Sequence, residues 1–246
     1  MLKATISTCA LCISCLPVFG NISTVNTDFS SGANGWHGPT GFDGQGGATK
    51  IEPRGGNDAH FMRTEFHDFG VTFWNDSNAD YLGDYTTADE ITISIDVRVE
   101  NLNFFGQDVS RPWLLELRDN ETAQDGFPYT SVWFLLDNIS EATNSNWTTY
   151  SVTFDPNSIE LPVGWQGFGA ETPQGAPILP EDVAFSDVLS GVDEMVFTTM
   201  QPGFFFSFTD HTIGIDNISI TRTTVPTPSA LTLIGLGGLV GTRRRR

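Results

Sequence analysis

The chain has 246 residues, 39% of them hydrophobic and 12% aromatic, with 12 lysines and arginines against 30 aspartates and glutamates. Lys3 and Arg243 to Arg246 are terminal, so seven basic residues face 30 acidic ones in the body, a formal charge of −23. Such a surface repels phosphate backbones and anionic headgroups, which argues against nucleic acid as a partner.

About 200 residues between the two ends suit one large β domain, and a core of that size needs no covalent crosslinks. The acidity has two readings, solubility and calcium binding. All three cysteines, Cys9, Cys12 and Cys15, fall in the first 16 residues. The body therefore has no disulfide framework and no thiolate chemistry.

Residues 1–20 carry one positive charge at Lys3, an apolar run from Ala4 to Leu16, then Pro17-Val18-Phe19-Gly20. Val18 and Gly20 suit the −3 and −1 positions of a signal-peptidase site, so a signal helix cleaved before Asn21 is expected. Lipidation at Cys15 is the alternative. Residues 21–222 form the expected body. Within it, Ala48–Glu52, His60–Phe66, Val71–Trp74, Ile91–Val99, Trp113–Leu117, Val132–Leu136, Tyr150–Phe154 and Met195–Thr199 read as strands. The Ile91–Val99 stretch alternates apolar and polar without a break, as a strand with one buried and one wet face requires. About ten short strands divided by Asn, Asp, Gly and Pro turns predict an all-β, antiparallel jelly-roll β-sandwich.

Leu161–Pro180 holds four prolines, with Trp165 and Phe168 among glycines, and reads as a long loop. Pro180-Glu181-Asp182 then opens an apolar-periodic stretch closed by Gly191, which predicts one short helix. In the last strand Ile213 and Ile215 share one face, whereas Ile218 and Ile220 have the other parity. A period-two pattern changes parity only at a bulge, placed here at Asp216-Asn217.

Asp216-Asn217-Ile218 resembles the closing strand of carbohydrate-binding-module jelly rolls. Asp28-Phe29-Ser30 with Asn34-Gly35-Trp36 is similar to their opening. That resemblance implies one structural calcium, with Asp216 and Asp28 as its carboxylates; a local cap by Asp216 is the competing reading. Residues 180–220 also resemble the second half of the laminin IV type A domain, itself a jelly roll.

Val225-Pro226-Thr227-Pro228, an apolar stretch from Ala230 to Val240 and Arg243-Arg244-Arg245-Arg246 end the chain. Eleven residues make a helix of about 16 Å against the ~30 Å of a hydrocarbon core, which allows transient membrane association rather than a permanent span. Residues 225–246 resemble the PEP-CTERM sorting segments that an exosortase-like enzyme processes, although Thr227 stands where that family usually has Glu. The two ends together imply secretion to the cell surface of a bacterial envelope.

No phosphate loop, Gly-x-Ser-x-Gly elbow, His-Glu-x-x-His or zinc spacing occurs in the sequence. His60 points away from Glu65 and His67 in an extended strand, so the three do not converge. The resemblances then imply a non-catalytic polysaccharide-binding module. Trp165, Phe168, Trp36 and Trp147 are its candidate stacking residues, with Trp74 beside them and Trp165 foremost. Each Trp has core burial as its competing role. A structural biofilm-matrix protein and a polysaccharide hydrolase with an unrecognised site are the alternatives.

Overall fold

The computed structural model describes residues 20–40, 48–57, 59–124 and 126–225. The expected signal segment through Phe19, and Pro226, Thr227, Pro228 and Arg243–Arg246, lie outside these residues. In chain order the elements begin with β1 (Asn21–Thr27), β2 (Trp36–His37), β3 (Ala48–Glu52), β4 (Phe61–Asp68), β5 (Thr72–Asn75), β6 (Glu90–Phe104), β7 (Gln107–Asp108), β8 (Arg111–Asp119) and β9 (Thr130–Ile139). They continue with α1 (Glu141–Asn144), β10 (Thr148–Phe154), β11 (Trp165–Phe168), β12 (Ala170–Glu171), β13 (Pro177–Ile178), α2 (Phe185–Leu189), β14 (Glu194–Thr198) and β15 (Thr209–Thr224).

These strands build an antiparallel jelly-roll sandwich. One sheet runs β10-β6-β15-β4-β3, with β1 added to β15 and β7 to β6. The other runs β11-β9-β8-β14-β5-β2, and β12 with β13 forms a separate hairpin. Period-two alternation sends Ile91, Ile93, Ile95, Val97 and Val99 of β6 inward, toward Trp113, Leu115 and Leu117 of β8 and Met195 and Phe197 of β14. Each such side chain, fully buried, contributes about 1.5–3 kcal/mol of transfer free energy.

The expected bulge is present. Asp216 pairs with Asp96 and Ser219 with Ser94, so Asn217 and Ile218 together oppose Ile95. Asn217 takes a positive φ of 46°, which returns Ile218 and Ile220 to the core face. A second irregularity skips Glu100 between the Thr212–Asn101 and Ile213–Val99 pairs. The alternation therefore resumes in a new phase and β6 runs on to Phe104.

Two expectations need correction. The Leu161–Pro180 segment is not a structureless loop: β11 pairs along β9 from Trp165↔Phe134 to Phe168↔Ser131, and β12 and β13 follow. The Pro180–Gly191 stretch is helical only over α2, whose Asp187 carboxylate accepts the Ala184 amide at 2.9 Å. Helix α1 is a second short helix, capped by the Ser140 hydroxyl, which accepts the Thr143 amide at 3.2 Å.

Candidate ligand groove

Because Trp113, Leu115 and Leu117 point inward, their neighbours Glu116 and Arg118 must face out from the second sheet. Register then aligns them with other strands in two rows. Phe168, Ser131, Arg118 and Glu194 form one; Gln166, Trp133, Glu116, Val196, Trp74 and His37 form the next. Residues as distant in sequence as Trp74 and Val196 thus share one strip of the sheet's outer face, where Ser131, Trp133, Glu116 and Val196 are buried.

A concavity of about 270 Å³ opens on this face, with Glu116, Arg118 and Thr198 on its floor and Tyr129, Phe168 and Phe204 among its walls. A second hollow of about 410 Å³ adjoins it, lined by Trp74, Phe66, Phe69 and Asp68 among others. Thr72 and Met200 line both, so the two hollows share a border.

The floor is electrostatically organised. Glu116 is 2% exposed; its Oε1 accepts the Ser131 hydroxyl at 2.6 Å and its Oε2 accepts Arg118 Nη2 at 2.7 Å. Arg118 Nη1 donates to Glu194 Oε2 at 2.7 Å, so one guanidinium bridges two carboxylates. Burial works against the charged form of Arg118, but Glu116, with Tyr129 and then Glu194, outweighs it and raises its pKa. The guanidinium carbon sits 4.3 Å from the Tyr129 ring centroid. Burial, followed by the Glu116 charge, pushes the Tyr129 phenol up to about 12. Phe168 meets Phe127 and Tyr129 at ring distances of 5.3 Å each, which fixes the aromatic wall.

The sequence-predicted residues scatter. Phe168 lies in the groove, and Trp74 lines the second hollow with His37 stacked on it at 5.4 Å. Trp165 does not: it is 6% exposed and packs on Phe134, Phe154 and Phe185, because joining the edge of β9 turns it into the sandwich. Trp36 is 1% exposed, between Tyr81 and Phe197 in the core. Trp147 lies on the first sheet, its indole N–H donated to the Gly55 carbonyl at 3.0 Å and its ring 4.9 Å from the Arg98 guanidinium carbon. Trp36 and Trp165 thus pack in the core, whereas Trp147 is half-buried against the first sheet.

The aspartates are engaged locally. Asp28 Oδ1 accepts the Ser30 hydroxyl at 2.7 Å and the Ser30 amide at 3.0 Å, which holds its pKa below the usual value. Asp216 Oδ1 accepts the Asn217 amide and its Oδ2 the Asn57 amide, both at 2.8 Å. The Asn57 and Asn217 side-chain amides both donate to Oδ2 of Asp96, so the bulge and the 53–57 turn are tied together. Gly56 makes that turn possible, since a Cβ there would lie 2.7 Å from Asp216 Oδ2 and 2.3 Å from the His60 carbonyl. Among the described residues no group of three or more His, Cys, Asp or Glu side chains could hold a metal ion. Val225, where the expected sorting segment begins, is exposed at the end of the described residues.

Sequence reasoning missed Glu116, Arg118, Glu194, Tyr129 and Phe204. One signal was available: Glu-Leu-Arg, at 116–118, puts opposite charges two apart on one face of a strand whose other face is Trp113, Leu115 and Leu117.

No protein-family model matches the chain, and no curated protein matches it. Solved structures to which it is similar include the module CtCBM11, at 16% identity and a TM-score of 0.43 over 81% of this chain and 95% of that one. A second is the carbohydrate-binding module TmCBM27, described for specific mannan recognition, at 11% identity and a TM-score of 0.36 over 82% and 98%. A third comprises the CBM22-1 and GH10 modules of Clostridium thermocellum xylanase Xyn10B, complexed with xylohexaose, at 14% identity and a TM-score of 0.44 over 80% of this chain. The chain spans 28% of that xylanase's length. The likeness to all three is one of fold.

Proposed function

We propose that this chain is an exported, non-catalytic protein that binds an uncharged polysaccharide in the groove of the second sheet. One observation carries the reading: aromatic rings (Tyr129, Phe168, Phe204) line the same open concavity as Glu116 and Arg118, whose guanidinium is fixed by Glu116 and Glu194. Aromatic faces complement the CH-rich faces of sugar rings, while a few convergent polar groups orient the hydroxyls. Salt bridges hold those polar groups in place before the ligand arrives, which lowers the entropic cost of binding. The acidic surface favours an uncharged glycan over an anionic one.

Glycoside hydrolysis requires one carboxyl group to deliver a proton and a second carboxylate to attack or activate water. Glu116 instead spends both oxygens on Ser131 and Arg118, an arrangement that fixes the Arg118 guanidinium on the groove floor. Export is supported by the cysteine-free acidic body and by the two terminal segments, whose partners are a signal peptidase and an exosortase-like enzyme.

Native gel electrophoresis through soluble glucan, xylan and mannan tests the reading. At least one polysaccharide should retard the protein, and Tyr129→Ala with Phe168→Ala should abolish the retardation. Free migration through every gel would favour the structural-matrix alternative. Release of new reducing ends would show a hydrolase.

A further inference from the structure

The 201–208 connection between β14 and β15 reads Gln-Pro-Gly-Phe-Phe-Phe-Ser-Phe. One of its four phenylalanines serves the fold. Phe206 covers Arg111, whose guanidinium carbon lies 4.9 Å from the ring centroid. Arg111 is 8% exposed and is held by Ser110 O and Thr209 Oγ1, so the loop is pinned over a buried cation. Its other three rings face outward, Phe205 at 76% exposed. Phe69 braces two of them, 4.5 Å from Phe205 and 4.0 Å from Phe208 by ring centroids, and Phe204 packs on Phe206 at 4.5 Å.

The Asn103↔Asp210 pair sets the 104–106 turn at the same end of the sandwich. There Phe105 is 89% exposed and holds a φ of 50°, a conformation glycine would adopt at lower cost. An exposed aromatic side chain in a strained position contributes nothing to the core. Apolar patches of this kind mark interaction surfaces.

Charge selects the occupant. Asp68, Asp108 and Asp210 belong to the same end, and the loop itself contains no Lys or Arg. A second copy would set like charges against each other within a Debye length of about 8 Å. A bilayer would meet neither the basic residues nor the Trp and Tyr that anchor chains at lipid interfaces. An uncharged polysaccharide suffers no such repulsion and offers CH-rich faces to the rings. The patch is also continuous with the groove, because Met200 and Phe204 line it.

We infer that this phenylalanine-tipped end is a second carbohydrate contact, which holds uncharged polysaccharide packed as an insoluble surface. It rests on the groove reading for the ligand class; the two surfaces meet at Phe204, and the rings that define this one are Phe105, Phe205 and Phe208. Rings this exposed project outward, so they meet neighbouring chains of a solid, whereas the groove takes a single chain.

The test is depletion of the full-length protein by microcrystalline cellulose and by chitin. Phe105→Ala with Phe205→Ala and Phe208→Ala should lower retention at least tenfold while leaving retardation by soluble polysaccharide unchanged. Tyr129→Ala should do the reverse. Phe105→Gly relaxes the backbone, so it should weaken retention without lowering the melting temperature, which separates loss of contact from loss of fold. Undiminished retention of the triple variant would overturn the inference, as would failure of the wild-type protein to bind either solid. Sedimentation with phosphatidylcholine vesicles, or dimerisation lost in the triple variant, would reassign the surface and overturn it equally. If soluble binding fails but retention on solids depends on the three rings, the groove reading falls and this one stands.

Discussion

Replacing Arg118 by Met isolates what the groove network contributes. The change leaves Glu116, 2% exposed, with Ser131 as its remaining hydrogen-bond partner. Breaking a buried ion pair by removing one partner costs about 3–5 kcal/mol, because the surviving charge stays desolvated. Loss of the guanidinium from the Tyr129 face, 4.3 Å away, adds on the order of 1 kcal/mol. The bond to Glu194 contributes less, since that carboxylate is 22% exposed and water replaces the arginine in part. With a urea m-value of about 3 kcal/mol/M, a loss of about 4–5 kcal/mol moves the unfolding midpoint down by roughly 1.5 M. Glu116→Gln combined with Arg118→Met should recover most of that loss, because no buried charge remains. A single variant that loses under about 1 kcal/mol, or a double variant no better than the single, would refute the argument that Arg118 neutralises a buried acid.

Three further outcomes are expected. Burial, reinforced by Arg111, lowers the His211 pKa from 6.5 to about 4. The unfolded chain therefore takes up a proton near pH 6.5 that the folded chain refuses until about pH 4. Stability should be complete above that window, fall by on the order of 3 kcal/mol across it and level off below, and His211→Leu should flatten the slope in urea titrations. Trp165→Ala should cost about 3–5 kcal/mol as a core cavity, whereas Trp165→Phe should keep the gel retardation of the wild type; specific loss of binding in a stable Phe variant would restore Trp165 as a ligand contact. Asn217 holds a φ of 46°, so Asn217→Val should destabilise by about 2 kcal/mol and Asn217→Gly by less, measured by urea unfolding; equal losses would mean that the bulge carries no left-handed strain.

The sandwich was legible because its strands alternate. Ile91–Val99 and Ile213–Ile220 face one core, and the parity change at Asp216-Asn217 marked its bulge before any geometry was known. Trp165 was misread because an apolar residue among prolines and glycines resembles a loop, and only the free edge of β9 makes it a strand. Tryptophans 36, 147 and 165 show why residue type alone does not locate a site: each packs on or bonds to partners from remote strands or turns. The groove was hidden for the same reason, since Arg118, Glu194 and Phe168 become neighbours only through sheet order.

Hydrogen–deuterium exchange, with and without the soluble polysaccharide that retards the protein most, tests the central claim directly. Slowed exchange is expected in 127–131, 166–168 and 198–204, with the outer face of β6, β10 and β15 unchanged. Protection confined to that first sheet, or no protection in the three groove segments at saturating polysaccharide, would contradict it.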